Sequence, residues 1–422
     1  MLKKEITMTN HPPILVQYTD TVESLLKDSI VKKALDCIED QTDFAMQEQI
    51  DLCEISAPTF QEDRRANELA KRMKQYGLTD VQKDEIGNVI GRRPGKIGSK
   101  TIAIGAHMDS VFPAETDVKV RKEGNVYWAP GIGDNCSGLR AMLQVLRALN
   151  EAGIETDEDI LFVGTVGEEG NGDIRGSKFL CSHNKLDAFI AVDSTDVGRV
   201  LRGAVGSHRW RIAVDGPGGH SFAEFGKTPS AIHAVCRAGA EIAKIEVPED
   251  PKTTFTIGTI KGGTTVNTIA AHCEVDVDIR STDNAELLNV EEAVLKAFEK
   301  AVQEENARWP KASDDTHLKL TTTQIGNRPA GLRPHDCPVL QSARAAQKAL
   351  GIELTNYGLS STDANAPMSM NIPATCLCSG GKGIGAHTLN EHFVFEKTEL
   401  GPKLILLTTL ALAGTTKTKP LL

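Results

Sequence analysis

Along the chain, short and wholly apolar runs alternate with stretches in which apolar side chains recur every three or four residues, the pattern of strands threaded between amphipathic helices. Residues 20–55 read as two helices and residues 63–76 as a third, closed by Gly77. Strand-like pieces follow near Val81, Val89 and Thr101. The run Thr101, Ile102, Ala103, Ile104, Gly105 is apolar throughout, as a strand buried on both faces of a parallel sheet is. Residues 117–127 alternate about Glu123, Gly124 and Asn125, which predicts a hairpin. From Ser137 onward, Leu139, Met142, Leu143, Leu146 and Leu149 mark the single buried face of a helix. Strands at 159–166 and 188–192 bracket a further helix near Lys178. The alternation predicts an α/β fold, a doubly wound and mostly parallel sheet with its sites at the carboxyl ends of the strands.

The rhythm changes after Arg202. Strand candidates at 208–214, 253–260, 273–280 and 317–323 enclose helices near 229–245 and 287–306, and the second helix carries Val290, Val294, Ala297, Phe298 and Ala301 at helical spacing. The order β, α, β, β, α, β is that of a ferredoxin-like α+β unit. An αβ pattern resumes near Asp336, with a helix to Leu350, a strand at Thr355, a helix near Ala364, a strand at 374–378 and a last helix at 400–413. Residues 415–422 read as a loose tail. The expected division is one α/β domain built from residues 1–203 and 327–422, interrupted by an inserted domain at 204–326.

Length and charge narrow the class. A chain of 422 residues fits two to three domains, and 40% hydrophobic with 25% charged residues is ordinary for a soluble globular protein. The balance of 47 basic against 57 acidic residues, −10 overall, argues against a nucleic-acid partner. No run approaches the roughly 20 apolar residues of a membrane span, and none follows Lys3 and Lys4 as a secretion signal requires. Nine cysteines, an odd number spread from Cys37 to Cys378, fit reduced thiols and a cytoplasmic location.

Five places carry chemistry. His107 and Asp109 stand two residues apart at the mouth of the run 101–105, so in extended backbone they leave on one face. They suit a metal-binding imidazole oriented by a carboxylate, and equally a strand-end histidine followed by a turn-opening aspartate. Gly131, Ile132, Gly133, Asp134 and Asn135 place Asp134 near the start of the Leu139 helix; a nucleotide-binding loop is the rival, but the third glycine is missing and a hairpin precedes. Glu168 and Glu169 lie between Gly167 and Gly170. Adjacent carboxylates cannot share one direction, so one can bind metal while the other faces a reacting carbonyl, or both form a solvated acidic turn. Asp193 follows the apolar run 188–192 as a ligand or an N-cap. The glycine-rich stretch 380–386 presents His387, although such loops also bind phosphate. A His, an Asp, a Glu, an Asp and a His at successive strand ends are what a binuclear metal site requires. Zinc takes such donors at about 2.0–2.2 Å, and one bridging carboxylate holds two ions about 3.5–4 Å apart.

In this order of motifs, from roughly residue 45 to 413, the chain resembles the M20 metallopeptidases, whose members include peptidase T, other di- and tripeptidases, carboxypeptidase G2, acetylornithine deacetylase and aminoacylase. The resemblance implies two zinc ions, with manganese or cobalt accepting the same donors. It implies His107 as a ligand of one zinc with Asp109 behind it, Asp134 bridging both ions, and Glu168 as general base. Glu169 would bind the other zinc, Asp193 would complete the first site and His387 the second. The inserted domain resembles the family's lid, which is also its dimer interface, so a homodimer is expected. Gly216, Pro217, Gly218, Gly219, His220 and Ser221 match the lid motif whose histidine reaches the partner's active site; a plain turn is the competing reading. Asn267, after Gly262 and Gly263, and Arg280 resemble residues that hold a substrate carboxylate, with a surface ion pair as the alternative for Arg280.

Two features speak to subfamily. The position of Asp193 is Asp in aminopeptidase-like members and Glu in deacylases and carboxypeptidase G2, which leans toward substrates with a free amino terminus. Ser361, Thr362, Asp363, Ala364 and Asn365 resemble a segment of di- and tripeptidase members, with Asp363 set either to bind a substrate amine or to cap the helix that follows. Cys136 stands where other members commonly carry a lysine. The expectation is a cytoplasmic dizinc aminopeptidase acting on di- or tripeptides through a metal-bridged water. The alternative is an N-acyl amino acid amidohydrolase. A non-catalytic relative that has kept the fold is a third reading.

Overall fold

Every residue of the strand Thr101–His107 is buried, which is why its sequence is apolar without alternation until the histidine. In the structure, a computed structural model that describes residues 11–422 apart from 310, 312 and 313, this strand lies inside a six-stranded sheet. The order across the sheet is Asp80–Lys83, Val89–Arg93, Asp159–Thr165, Thr101–His107, Ala188–Val192 and Ala374–Leu377. The last four strands are parallel, and the first two run antiparallel at one edge. The register sets His107 beside Thr165, and Val192 beside Leu377, so these strands deliver their following residues to one rim. The helices Val16–Lys27, Ser29–Asp40, Asp63–Gln75, Cys136–Ala152, Pro338–Ala349 and Leu400–Ala413 share one apolar core with the sheet.

Packing in that core is tight at the strand that carries His107. A Cβ added to Gly105 would meet Phe189 Cζ at 2.8 Å, and Phe189 is fully buried. Gly105→Ala should therefore destabilise the protein by about 1–3 kcal/mol through overpacking, read as a lower denaturation midpoint with an unchanged slope.

Contacts divide the chain into two units, one ending at Gly203 and resuming at Leu332, the other spanning Ala204–Gly331. The second unit holds a four-stranded antiparallel sheet in the order Thr253–Gly262, His272–Ser281, Gly206–Asp215, Lys319–Arg328, with the helices Ala231–Ile242 and Asn284–Ala307. Along His272–Ser281, Cys273, Val275, Val277 and Ile279 are buried against Val290, Val294 and Phe298 of the long helix, while Glu274, Asp276, Asp278 and Arg280 alternate on the other face. The unit runs past residue 326 because its edge strand continues to Arg328.

Elsewhere the boundaries differ locally. The stretch 20–55 lies within three helices in place of two, Val16–Lys27, Ser29–Asp40 and Thr42–Cys53, because Asp28 leaves the helical conformation and caps the second through Ile30 N at 3.0 Å. The hairpin is shorter than its alternation suggests, Arg121–Glu123 with Val126–Trp128. No strand forms at Thr355, whose N–H goes to Gly198 O.

Candidate metal centre

The parallel strands and their loops bring side chains from four separate segments to one rim. His107 ends its strand, Asp134 precedes the helix Cys136–Ala152, Glu168 and Glu169 follow the strand Asp159–Thr165, and His387 lies on the loop after Ala374–Leu377. The donor atoms of His107, Asp134 and Glu169 lie within 4.8 Å of one another. Asp134 divides its two oxygens: Oδ1 is 3.1 Å from His107 Nε2, and Oδ2 is 3.2 Å from His387 Nε2. His387 Nε2 also lies 2.9 Å from Glu169 Oε1. His387 reaches this position with its backbone at φ +65°, a conformation that residues other than glycine seldom take.

Asp193 directly follows its strand, with its N–H on Leu377 O at 3.0 Å. Its carboxylate is outside the three-residue group but close enough to Asp134 and His107 for their charges to act on it. Desolvation, then the Asp134 charge, pushes Asp193 up to about 6. Burial would depress His107, yet its hydrogen bonds to Asp109 and Asp134 hold it well above the ordinary imidazole value. His387 is raised to about 10 by hydrogen bonds to Asp134 and then Glu169. Against the burial that opposes it, Asp134 is held low by the same two histidines.

Two imidazole nitrogens converging on two carboxylates, with a third carboxylate alongside, form a donor set that fits a divalent cation. A cation binds imidazole nitrogens only in their unprotonated form, so protons and cation compete for them. His107, Asp134 and Glu169, with His387 against the last two, are the residues that would hold such a cation.

Asp109 does more than stand behind His107. Its backbone oxygen lies 3.1 Å from His107 Nδ1, and its carboxylate accepts Glu168 N at 2.9 Å, Glu169 N at 3.0 Å and the Thr59 hydroxyl at 2.8 Å. One buried carboxylate thus fixes both the histidine strand and the turn that carries the two glutamates. Glu62 supports that turn by accepting Gly167 N at 3.0 Å while pairing with Arg175. Gly167 has φ +62°, and a Cβ there would meet the Arg175 side chain at 2.6 Å, so a substitution is strained and would shift Arg175.

Three supporting residues have no local signature in the sequence. Thr59 acts through Asp109. Arg65, fully buried, gives its guanidinium to the carbonyls of Cys53, Ile55 and Met108, and so holds the backbone between His107 and Asp109. Glu391 accepts three backbone N–H groups of the Asp134 loop. Burial pushes Glu391 up to about 7, with those three donors pulling the other way.

Asp363 neither caps a helix nor lies open to a substrate amine. It is 3% exposed, its Oδ2 takes the Thr165 hydroxyl at 2.5 Å, and the residue N-terminal to the helix Asn365–Ser369 is Ala364. Its place is beneath the strand end that precedes Glu168. The Asp134–Asn135 peptide is cis.

The remaining predicted residues belong to the second unit. His220 lies on the short strand Gly219–His220, paired with Thr268–Ile269, and Ser221 N bonds Asn267 O at 3.0 Å, which makes His220 and Asn267 neighbours. His220 Nδ1 accepts Phe222 N at 3.2 Å, leaving Nε2 on an exposed ring. Arg280 donates to Asp278 at 2.7 Å.

Residues 103–410 match the family described as peptidase family M20/M25/M40, and the chain belongs to that family. It is a hydrolase of peptide or amide bonds, from a metal-dependent family. Among its relatives, the uncharacterized protein YqjE of Bacillus subtilis is 28% identical over 370 residues, 83% of this chain and 94% of that protein. The crystal structure of aminopeptidase PepT from Bacillus cereus aligns with a TM-score of 0.71 at 25% identity, covering 87% of this chain and 97% of that one. An N-carbamoyl-L-amino-acid amidohydrolase from Pseudomonas is 31% identical over 143 residues, 33% of this chain and 30% of that enzyme. Among the described residues, no helix is long and apolar enough to cross a membrane.

Proposed function

We propose that the chain is a two-zinc aminopeptidase that releases the first residue of di- or tripeptides. What carries this reading is the division of Asp134 between two histidines, one carboxylate oxygen to each, with Glu169 closing the group. His107, Asp134 and Asp193 would hold one ion; Asp134, Glu169 and His387 the other. Zinc bound there supplies a Lewis acid and a water acidified toward neutrality, as manganese or cobalt in the same donors would. Glu168, its backbone anchored on Asp109, takes the proton of the attacking water and returns it to the departing amine.

In the same reading the protein works as a cytoplasmic homodimer joined through its second unit. His220 of one copy serves the centre of the other by donating from Nε2 to the developing oxyanion, and Asn267 and Arg280 bind the peptide's terminal carboxylate. His220→Ala should then lower turnover by about 10²–10³-fold with metal content unchanged, measured by steady-state kinetics beside metal analysis.

The likeness to an N-carbamoyl amidohydrolase supports a second reading, hydrolysis of blocked amino acids. The sequence position of Asp193 and the likeness to an aminopeptidase favour the first. A panel of free di- and tripeptides against their N-acetyl and N-carbamoyl counterparts decides it. Cleavage of the free peptides is expected, and exclusive turnover of blocked substrates would reverse the assignment.

A further inference from the structure

The loop carrying Asp134 is secured by a carboxylate that the reaction does not use. Glu391 is 1% exposed. Its Oε2 accepts Gly131 N at 2.8 Å, and its Oε1 accepts Gly133 N at 2.8 Å and Asp134 N at 2.9 Å. Its own backbone oxygen accepts Ala129 N at 3.2 Å, and the strand His392–Val394 that follows pairs with Val126–Trp128. Glu391 therefore holds the loop at its start, middle and end.

The same residue belongs to the turn that presents His387. Glu391 N bonds Thr388 O at 3.1 Å, and Thr388 N bonds Gly385 O at 3.1 Å. Asp134 and His387 come from distant parts of the chain, and their heads meet at 3.2 Å. Nothing local to either segment sets that distance.

Successive backbone N–H groups aimed at one point form a nest for an anion, and buried N–H groups without an acceptor are costly. The chain fills this nest with its own side chain. Both oxygens of Glu391 are engaged by backbone, so the group is not a metal donor, and it is outside the set formed by His107, Asp134 and Glu169. We propose that Glu391 is a positioning residue: it locks the loop of residues 131–134 to the turn carrying His387, and so sets the spacing between Asp134 and His387. The proposal rests on the reading of these residues as a metal centre.

Glu391→Gln keeps volume and shape but turns an amide N–H₂ toward one of the backbone donors. The variant should fold, with a far-UV circular dichroism spectrum like that of the parent. Its affinity for Zn²⁺, measured by competition with a chromophoric chelator, should fall about 10–100-fold. The visible absorption of the Co²⁺-loaded form should shift, and kcat should drop by more than KM changes. A folded variant with parental Zn²⁺ affinity and Co²⁺ spectrum overturns the proposal, even if its melting temperature is lower.

If Glu391→Gln does not fold, Gly133→Ala takes its place. A Cβ there would meet Glu391 Oε1 at 3.1 Å, so the carboxylate has to give by a few tenths of an ångström, with no change of charge. Weaker Zn²⁺ binding by this variant supports the proposal; parental affinity refutes it. Failure of the parent protein to bind Zn²⁺ at all would instead remove the metal-centre reading itself.

Discussion

Glu168→Gln should leave the metal content of the purified protein unchanged and lower turnover of a tripeptide by about 10²–10⁴-fold, the range expected when a positioned general base is lost. The two halves of that outcome come from different atoms. Glu168 and Glu169 are neighbours, but their backbone N–H groups are each fixed by the Asp109 carboxylate, so changing one side chain does not release the other. Glu169 stays against His387. What disappears is a group able to accept and return a proton. Metal analysis beside steady-state kinetics checks both halves, and loss of metal from the variant would move Glu168 into the ligand set.

Asp134→Asn should do the opposite and empty the centre. Its carboxylate alone meets both histidines, and an amide offers one acceptor where two are needed. Bound metal should fall below one ion per chain, with activity lost in parallel. The metal-free variant gives a second reading. Hydrogen bonds to Asp134 and then Glu169 hold His387 up to about 10, so removing the first should bring it down toward its ordinary 6.5 in an NMR titration.

The sign of the pH effect follows. A histidine whose value is raised in the folded protein contributes stability that is complete below its unfolded value and declines as pH rises toward 10. The metal-free parent should lose stability over that window, and the variant should lose less. Metal loading should weaken as pH falls, because protons compete for His107 and His387.

The residues proposed as ligands and base stand out in the sequence because each lies beside a strong local pattern. His107 and Asp193 end apolar runs, Glu168 and Glu169 lie between glycines, Asp134 precedes a clearly periodic helix, and His387 follows a glycine-rich loop. The order of strands and helices in the second unit was equally plain, since the two-residue alternation of His272–Ser281 and the helical spacing of Asn284–Ala307 each bury one face.

What escaped lies in contacts over long sequence separation. Asp109 reaches Glu168 and Glu169 across the sheet rim, Arg65 serves carbonyls on two segments, and Glu391 grips a loop about 260 residues away. No periodicity marks such residues, because their partners are backbone groups. Asp363 shows the converse: an aspartate beside a helix start reads as a cap, and burial under Thr165 overrode that local preference.

Anomalous diffraction from crystals of the zinc-loaded protein settles whether this rim is a binuclear centre. Two peaks are expected, one between His107, Asp134 and Asp193 and the other between Asp134, Glu169 and His387. Crystals that show no zinc among these five residues, or zinc bound only elsewhere, would contradict it.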